Sequence, residues 1–157
     1  MKHIFSAHES CSLGRMRAAA RLLPSSDCCR RDVTGKTSSL LGASSAMLIN
    51  ALKYLGGINP DIHLLSPTII EPIQRLKTGY LGNKNPRLHT DEVLIALTIS
   101  AATNPVAELA VKQLGKLKGC EAHSTVILAQ VDDNVFRNLG VNLTCEPNYQ
   151  TKKLFHK

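Results

Sequence analysis

From Val33 onward, apolar positions recur with helical or strand spacing and turn residues separate the periodic segments. The spacing and the capping signals predict helices at residues 38–55, 67–79 (or to 82), 90–102, 105–118 and 132–139. Short β-branched or apolar runs predict strands at residues 33–37, 61–65, 123–130 and 141–145. In the first helix the apolar residues nearly encircle the axis, so we expect it to be buried on more than one side.

The order of these segments predicts the fold class. The strand at 123–130, a short helix and the strand at 141–145 form a strand–helix–strand unit, which is typical of parallel pairing. We therefore predict an α/β domain with a small, mostly parallel sheet covered by helices. So small a sheet exposes its edges unless another domain or another copy covers them, which favours association with a partner.

Residues 1–32 differ from the rest of the chain. They lack a sustained period, and only residues 16–23 could form two helical turns. We predict a disordered or non-homologous arm at 1–32, with a native or a frameshifted start left open, and a structured subdomain at 33–157.

Composition narrows the class of protein. The chain has 157 residues, a net charge of +7 and only 4% aromatic residues, so a nucleic-acid interface that stacks bases is disfavoured. No apolar run reaches the length of a membrane span. The five cysteines show no disulfide or zinc spacing, which indicates reduced thiols, a cytoplasmic location and no bound metal.

One candidate ligand site follows the first strand of the subdomain. Its residues are Thr34, Gly35, Lys36, Thr37 and Ser38. The segment resembles the end of a phosphate-binding P-loop, but position 30 is Arg where that motif requires glycine. Backbone N–H groups, hydroxyls and a lysine at a helix N-terminus would still suit a phosphate, a nucleotide or a carboxylate. A plain strand-to-helix turn explains the same residues.

A second candidate lies in the segment NPRLHTDE. Arg87 could bind an anion, and His89 could exchange a proton near neutral pH beside Asp91 and Glu92. The alternative is local structure, since Thr90 and the two carboxylates are also what a helix start requires.

Long stretches of residues 34–157 resemble a known family. They are TGKTSSLLGASSAMLINALKYLGG, DIHLLSP, EPIQRLKTGYLGNKNPRLHTDEVLIALTISAATNP, GCEAHSTVIL and NVFRNLGVNLTCEP. The chain resembles the C-terminal portion of an uncharacterised bacterial family, known as domain of unknown function 1846 and uncharacterised protein family 0371.

The resemblance implies a three-layer α/β/α subdomain with deaminase-like topology in a longer cytosolic protein. The zinc signature of deaminases is absent from this sequence, so the topology carries no chemistry with it. Two functions stay open. The first is a ligand-binding domain or enzyme part, inactive by itself, whose site is completed by an N-terminal region; the second is a structural or oligomer-forming module without a catalytic role. Cofactors and reaction are not indicated.

Overall fold

The computed structural model describes residues 4–10, 15–21 and 33–147. Five helices lie within these residues: α1 (Ala43–Leu55), α2 (Pro67–Gly79), α3 (Thr90–Ala101), α4 (Pro105–Val111) and α5 (Gln130–Asn138). The strands are β1 (Ile4–Ser10), β2 (Arg15–Arg21), β3 (Val33–Lys36), β4 (Glu121–Ser124) and β5 (Asn142–Cys145). The α/β class is confirmed.

The five strands form one sheet in the order β3-β2-β1-β4-β5. Strand β2 is antiparallel to β1, β3 and β4, whereas β4 is parallel to both β1 and β5. Four strands therefore run in one direction and β2 runs against them. The segments that leave β3 and β4 consequently emerge at the same edge of the sheet, which we call the carboxyl edge.

Helix α1 is the centre of the core. Nine of its thirteen residues are buried, and it contacts β2, β3, α3 and α4, which confirms the expectation of burial on several sides. Gly35 allows the closest of these approaches, because a Cβ atom there would lie 2.6 Å from Cα of Met47 and closer still to backbone atoms of Met47 and Ala43. The core also takes side chains from every other described helix, and Leu52, Leu97, Val93 and Val126 are fully buried.

Several predicted elements differ from the structure. Helix α1 begins at Ala43 and not near Ser38, because the Ser38 hydroxyl accepts the N–H groups of Leu40 and Leu41 and forms a turn of its own. No strand forms at 61–65. There the Asn59 side chain accepts the Asp61 N–H at 2.9 Å and the chain turns, while Leu64 and Leu65 still reach the core.

The predicted strand at 123–130 is shifted. Strand β4 covers Glu121–Ser124, and the Ser124 hydroxyl then donates to the Val126 carbonyl at 2.6 Å, which turns the chain out of the sheet. The predicted helix at 105–118 is divided into α4 and a 3₁₀ turn at Leu114–Leu117.

The N-terminal segment also contains strands that the sequence did not indicate. The two strands β1 and β2 pair with each other as an antiparallel ladder and with β4. Residues 16–21, which could form helical turns by sequence, instead lie in the extended strand Arg15–Arg21. Residues 1–3, 11–14 and 22–32 of that segment lie outside the described residues, and the domain boundary at residue 32 stays a prediction.

Candidate functional site

Two loops meet at the carboxyl edge. The loop at 37–42 follows β3, and the turn at 83–89 precedes α3. Leu88 links them, since its N–H donates to the Leu40 carbonyl at 3.0 Å and its carbonyl accepts the Gly42 N–H at 3.3 Å. Arg87 Nε donates to the Ser38 carbonyl at 2.8 Å. The two candidate segments of the sequence, 34–38 and 85–92, are therefore brought together at Ser38 and Arg87.

The residues of the first candidate segment, 34–38, have different environments in the structure. The Thr34 carbonyl accepts the Asn50 amide of α1 at 2.8 Å, and Gly35 packs on that helix. Lys36 and Ser38 are exposed. The hydroxyl of Thr37 is buried and has no hydrogen-bond partner within the described residues. Because α1 begins at Ala43, the segment does not form the helix N-terminus that the sequence predicted.

His89 is the N-cap residue of α3, a position that the sequence assigned to Thr90. Its Nδ1 lies 3.3 Å from Oδ2 of Asp132, in the first turn of α5. Thr90 instead binds the same carboxylate, and its N–H and hydroxyl donate to Oδ1 at 2.9 and 2.8 Å. Asp132 thus holds the start of α3 against α5 by three contacts.

A buried lysine of helix α2 also contacts the turn at 83–89 and the first turn of α3. Lys77 of α2 places Nζ 2.7 Å from Oε2 of Glu92 and 2.7 Å from the Arg87 carbonyl oxygen. The same Glu92 oxygen accepts the His89 N–H at 2.8 Å. Three other segments of the chain therefore converge on residues 87–92: the loop at 37–42, α2 and α5.

The electrostatics of the His89–Asp132 pair favour a protonated imidazole and an ionised carboxylate. The hydrogen bond with Asp132 raises the pKa of His89 above its ordinary value, against an opposing effect of burial. Burial by itself would raise the pKa of Asp132, but the hydrogen bonds from His89 and Thr90 outweigh it and leave this pKa below the ordinary range. The His89 side chain is 30% exposed and that of Asp132 only 7%. The structure therefore holds a partly exposed imidazole on a buried carboxylate.

Sequence patterns could not reveal this arrangement in full. The sequence singles out Arg87 and His89, whereas Asp132 is only the first residue of the predicted helix at 132–139 and nothing points to Lys77. Asp132 is 43 positions from His89 and 42 from Thr90. No local motif connects residues so far apart, and their proximity depends on how α5 packs on α3.

Other polar groups and cavities lie apart from these residues. His123 uses both ring nitrogens, Nδ1 at 2.8 Å from the Thr144 hydroxyl and Nε2 at 3.3 Å from Oε1 of Glu146. An apolar cavity of about 10 Å³ lies under α1 beside Cys120, too small for more than about one water molecule. A groove of about 340 Å³ runs along β5 and is lined by Arg137 and residues 140–144.

Among the described residues, no group of three or more His, Cys, Asp or Glu side chains is suited to hold a metal ion. Within the same residues, no helix has both the length and the apolar character needed to cross a membrane.

The site and sheet together define an α/β domain with a histidine–carboxylate pair at one sheet edge. Residues 4–155 match the family model described as the C-terminal part of the domain of unknown function DUF1846. The chain belongs to this family, as the resemblance in the sequence indicated. The match begins at residue 4, inside the segment that the sequence set apart as an arm.

Curated relatives agree with this assignment. A UPF0371 protein of Corynebacterium efficiens is 63% identical over 127 residues, which are 81% of this chain and 26% of the relative. One from Corynebacterium diphtheriae is 61% identical over 125 residues, 80% of this chain and 25% of the relative. One from Streptococcus pyogenes is 50% identical over 152 residues, 97% of this chain and 30% of the relative. The chain therefore spans less than a third of the length of these uncharacterised bacterial proteins.

Proposed function

We propose that this domain contributes a binding site for an anionic ligand, with a proton-exchanging histidine, to a longer bacterial protein. Arg87 and Lys36 supply positive charge, and His89 takes up or releases a proton on the ligand. The ligand class is a phosphate, including that of a nucleotide, or a carboxylate, because a guanidinium and an ammonium each suit both groups.

The observation that carries the proposal is the contact between His89 and Asp132. A buried carboxylate that engages Nδ1 fixes the orientation of the ring and leaves Nε2 as the nitrogen that exchanges the proton. The same arrangement supports proton transfer in many enzymes. Partial exposure of the ring gives a ligand access to it.

Two further observations support a ligand at this edge. The buried Thr37 hydroxyl has no partner within the described residues, and such a group costs about 1–3 kcal/mol, so a ligand or another part of the protein would stabilise it. In addition, β3 and β4 run in the same direction, and ligands of open α/β sheets bind beyond the carboxyl ends of their strands.

Thermal unfolding of the 157-residue chain tests the proposal. Inorganic phosphate, ATP and malonate are added separately, and at least one is expected to raise Tm because a ligand of the folded state stabilises it. Arg87→Ala is expected to abolish the increase, and His89→Ala to remove its dependence on pH near neutrality. Arg75→Ala and His63→Ala are matched controls, since both side chains are exposed on the same domain.

Two outcomes would contradict this function. In one, none of the three probes raises Tm, although circular dichroism shows cooperative unfolding. In the other, the increase is the same in Arg87→Ala and His89→Ala as in the controls.

A structural or oligomer-forming role is the second candidate. Ile95 and Ile99, one turn apart on α3, are 61% and 68% exposed, and adjacent apolar side chains on one helix face are typical of a protein contact. Sedimentation of the chain tests this role. Self-association that Ile95→Glu with Ile99→Glu abolishes would support it, and a monomer at all concentrations would contradict it.

The finer fold assignment and the location are also proposals. The common direction of four strands supports a three-layer α/β/α arrangement of deaminase-like topology, completed in the longer relatives by their N-terminal region. A cytosolic location agrees with Cys120 and Cys145, which form no disulfide within the described residues.

A further inference from the structure

The buried ammonium of Lys77 is the feature from which the inference starts. Its side chain is 3% exposed, and a charge in such a place is tolerated only when its hydrogen bonds are made. Two of them are made within 2.7 Å, to the Glu92 carboxylate and to the Arg87 carbonyl. Lys77 therefore joins the last turn of α2 to two points of the site.

The two residues that Lys77 contacts lie on either side of His89 in the sequence. Arg87 comes two residues before it, and Glu92 follows three residues after it while accepting its N–H at 2.8 Å. One ammonium thus restrains the backbone on both sides of the histidine. We propose that Lys77 is a positioning residue that fixes Arg87 and His89 in the geometry needed to bind the anion. This inference rests on the proposed function.

The charges around His89 give a readout that a merely structural role would not change. Asp132 faces it from α5, Glu92 from its own helix α3 and Lys77 from α2. The positive charge of Lys77 opposes protonation of the imidazole, while the two carboxylates favour it. Replacing Lys77 with an uncharged side chain of similar volume should therefore make His89 easier to protonate.

The experiment follows the His89 ring by NMR during a pH titration of the full chain. Lys77→Met, which fills a similar volume without charge, is expected to move the His89 midpoint to higher pH. Lys77→Arg is expected to restore a midpoint close to that of the unchanged protein. Arg75→Met on the same helix is the matched control, because the Arg75 side chain is exposed.

A second variant keeps the inference testable where Lys77→Met fails to fold. Glu92→Gln removes a negative charge beside His89 and should move its midpoint to lower pH. An unchanged midpoint in a folded Lys77→Met or Glu92→Gln protein would overturn the positioning role.

Ligand affinity separates this inference from the proposed function. Where a probe binds the unchanged chain, Lys77→Met should weaken it by about tenfold, or about 1.4 kcal/mol, and Lys77→Arg should weaken it less. Equal affinity in all three proteins would contradict the positioning role alone. Absence of binding to the unchanged chain would contradict the proposed function, and the NMR midpoints would still decide whether Lys77 acts on His89.

Discussion

At the residue scale, Gly35 allows strand β3 to pack directly against helix α1. Its missing side chain lets β3 lie directly on the first turns of α1, where backbone atoms of Ala43 and Met47 occupy the space that a Cβ would need. Backbone atoms of a helix cannot move aside as a flexible side chain can. The contact therefore fixes where the loop at 37–42 begins.

Gly35→Ala should consequently destabilise the domain. We expect a loss on the order of 3 kcal/mol in the free energy of unfolding, since overpacking against backbone forces the helix away from the sheet. Urea unfolding measures the loss. Gly79→Ala is the control, because nothing lies within 4 Å of its added Cβ, and unchanged stability in Gly35→Ala would show that α1 can shift freely.

At the element scale, helix starts differ in how they are capped. The Asn104 side chain accepts the N–H of Val106 at 2.9 Å and that of Ala107 at 3.4 Å, ahead of Pro105. Ser66 is the N-cap of α2 but makes no such bond with its side chain. The two helices therefore form a natural comparison.

Asn104→Ala should cost about 1 kcal/mol of stability, the typical contribution of an N-cap side chain. Ser66→Ala should cost less, because α2 has no side-chain cap to lose. Chemical denaturation of both variants gives the difference. Equal losses would mean that the Asn104 bonds contribute nothing to the free energy of unfolding.

The helices and strands also show which elements the sequence could predict. Helices α2 and α3 lie almost where Ser66-Pro67 and Thr90 placed them, because caps and prolines act within a few residues. The segment at 61–65 has strand-like composition, yet the structure gives it no strand to pair with among the described residues. A strand needs a neighbour from elsewhere in the chain, so its sequence alone does not determine it.

The residues of the candidate site also differ in whether the sequence could predict them. Arg87 and His89 could be selected from their chemistry within one short segment. Asp132 and Lys77 could not, because their roles arise only when α5 and α2 pack beside α3.

For the whole molecule, the His89–Asp132 pair predicts how stability varies with pH. The lowered pKa of Asp132 contributes stability above its ordinary value of 3.8, and this is lost as the pH falls through the folded-state pKa. The raised pKa of His89 contributes stability below its ordinary value of 6.5, and this is lost as the pH rises through the folded-state pKa. The pair should therefore stabilise the fold most between the two values.

Asp132→Asn should flatten this pH dependence on both sides. Urea unfolding at about pH 5 and about pH 8.5 measures the alkaline side, and the decrease in stability between them should be smaller in the variant. Asp133→Asn is the control, because Asp133 pairs only with the exposed Arg137 four positions later in the described structure. The same decrease in both variants would contradict a stabilising pair.

Because Asp132 belongs to α5 and His89 to α3, the charge of the imidazole and the docking of a separate helix are thermodynamically coupled. Whatever holds α5 in place increases the proton affinity of His89, and protonation in turn holds α5 more firmly, since linkage is reciprocal. The protection of the α5 amides, taken relative to the intrinsic exchange rate at each pH, should rise as the pH falls through the His89 titration. A molecule that bound α5 alone would then change the charge at the site without touching it.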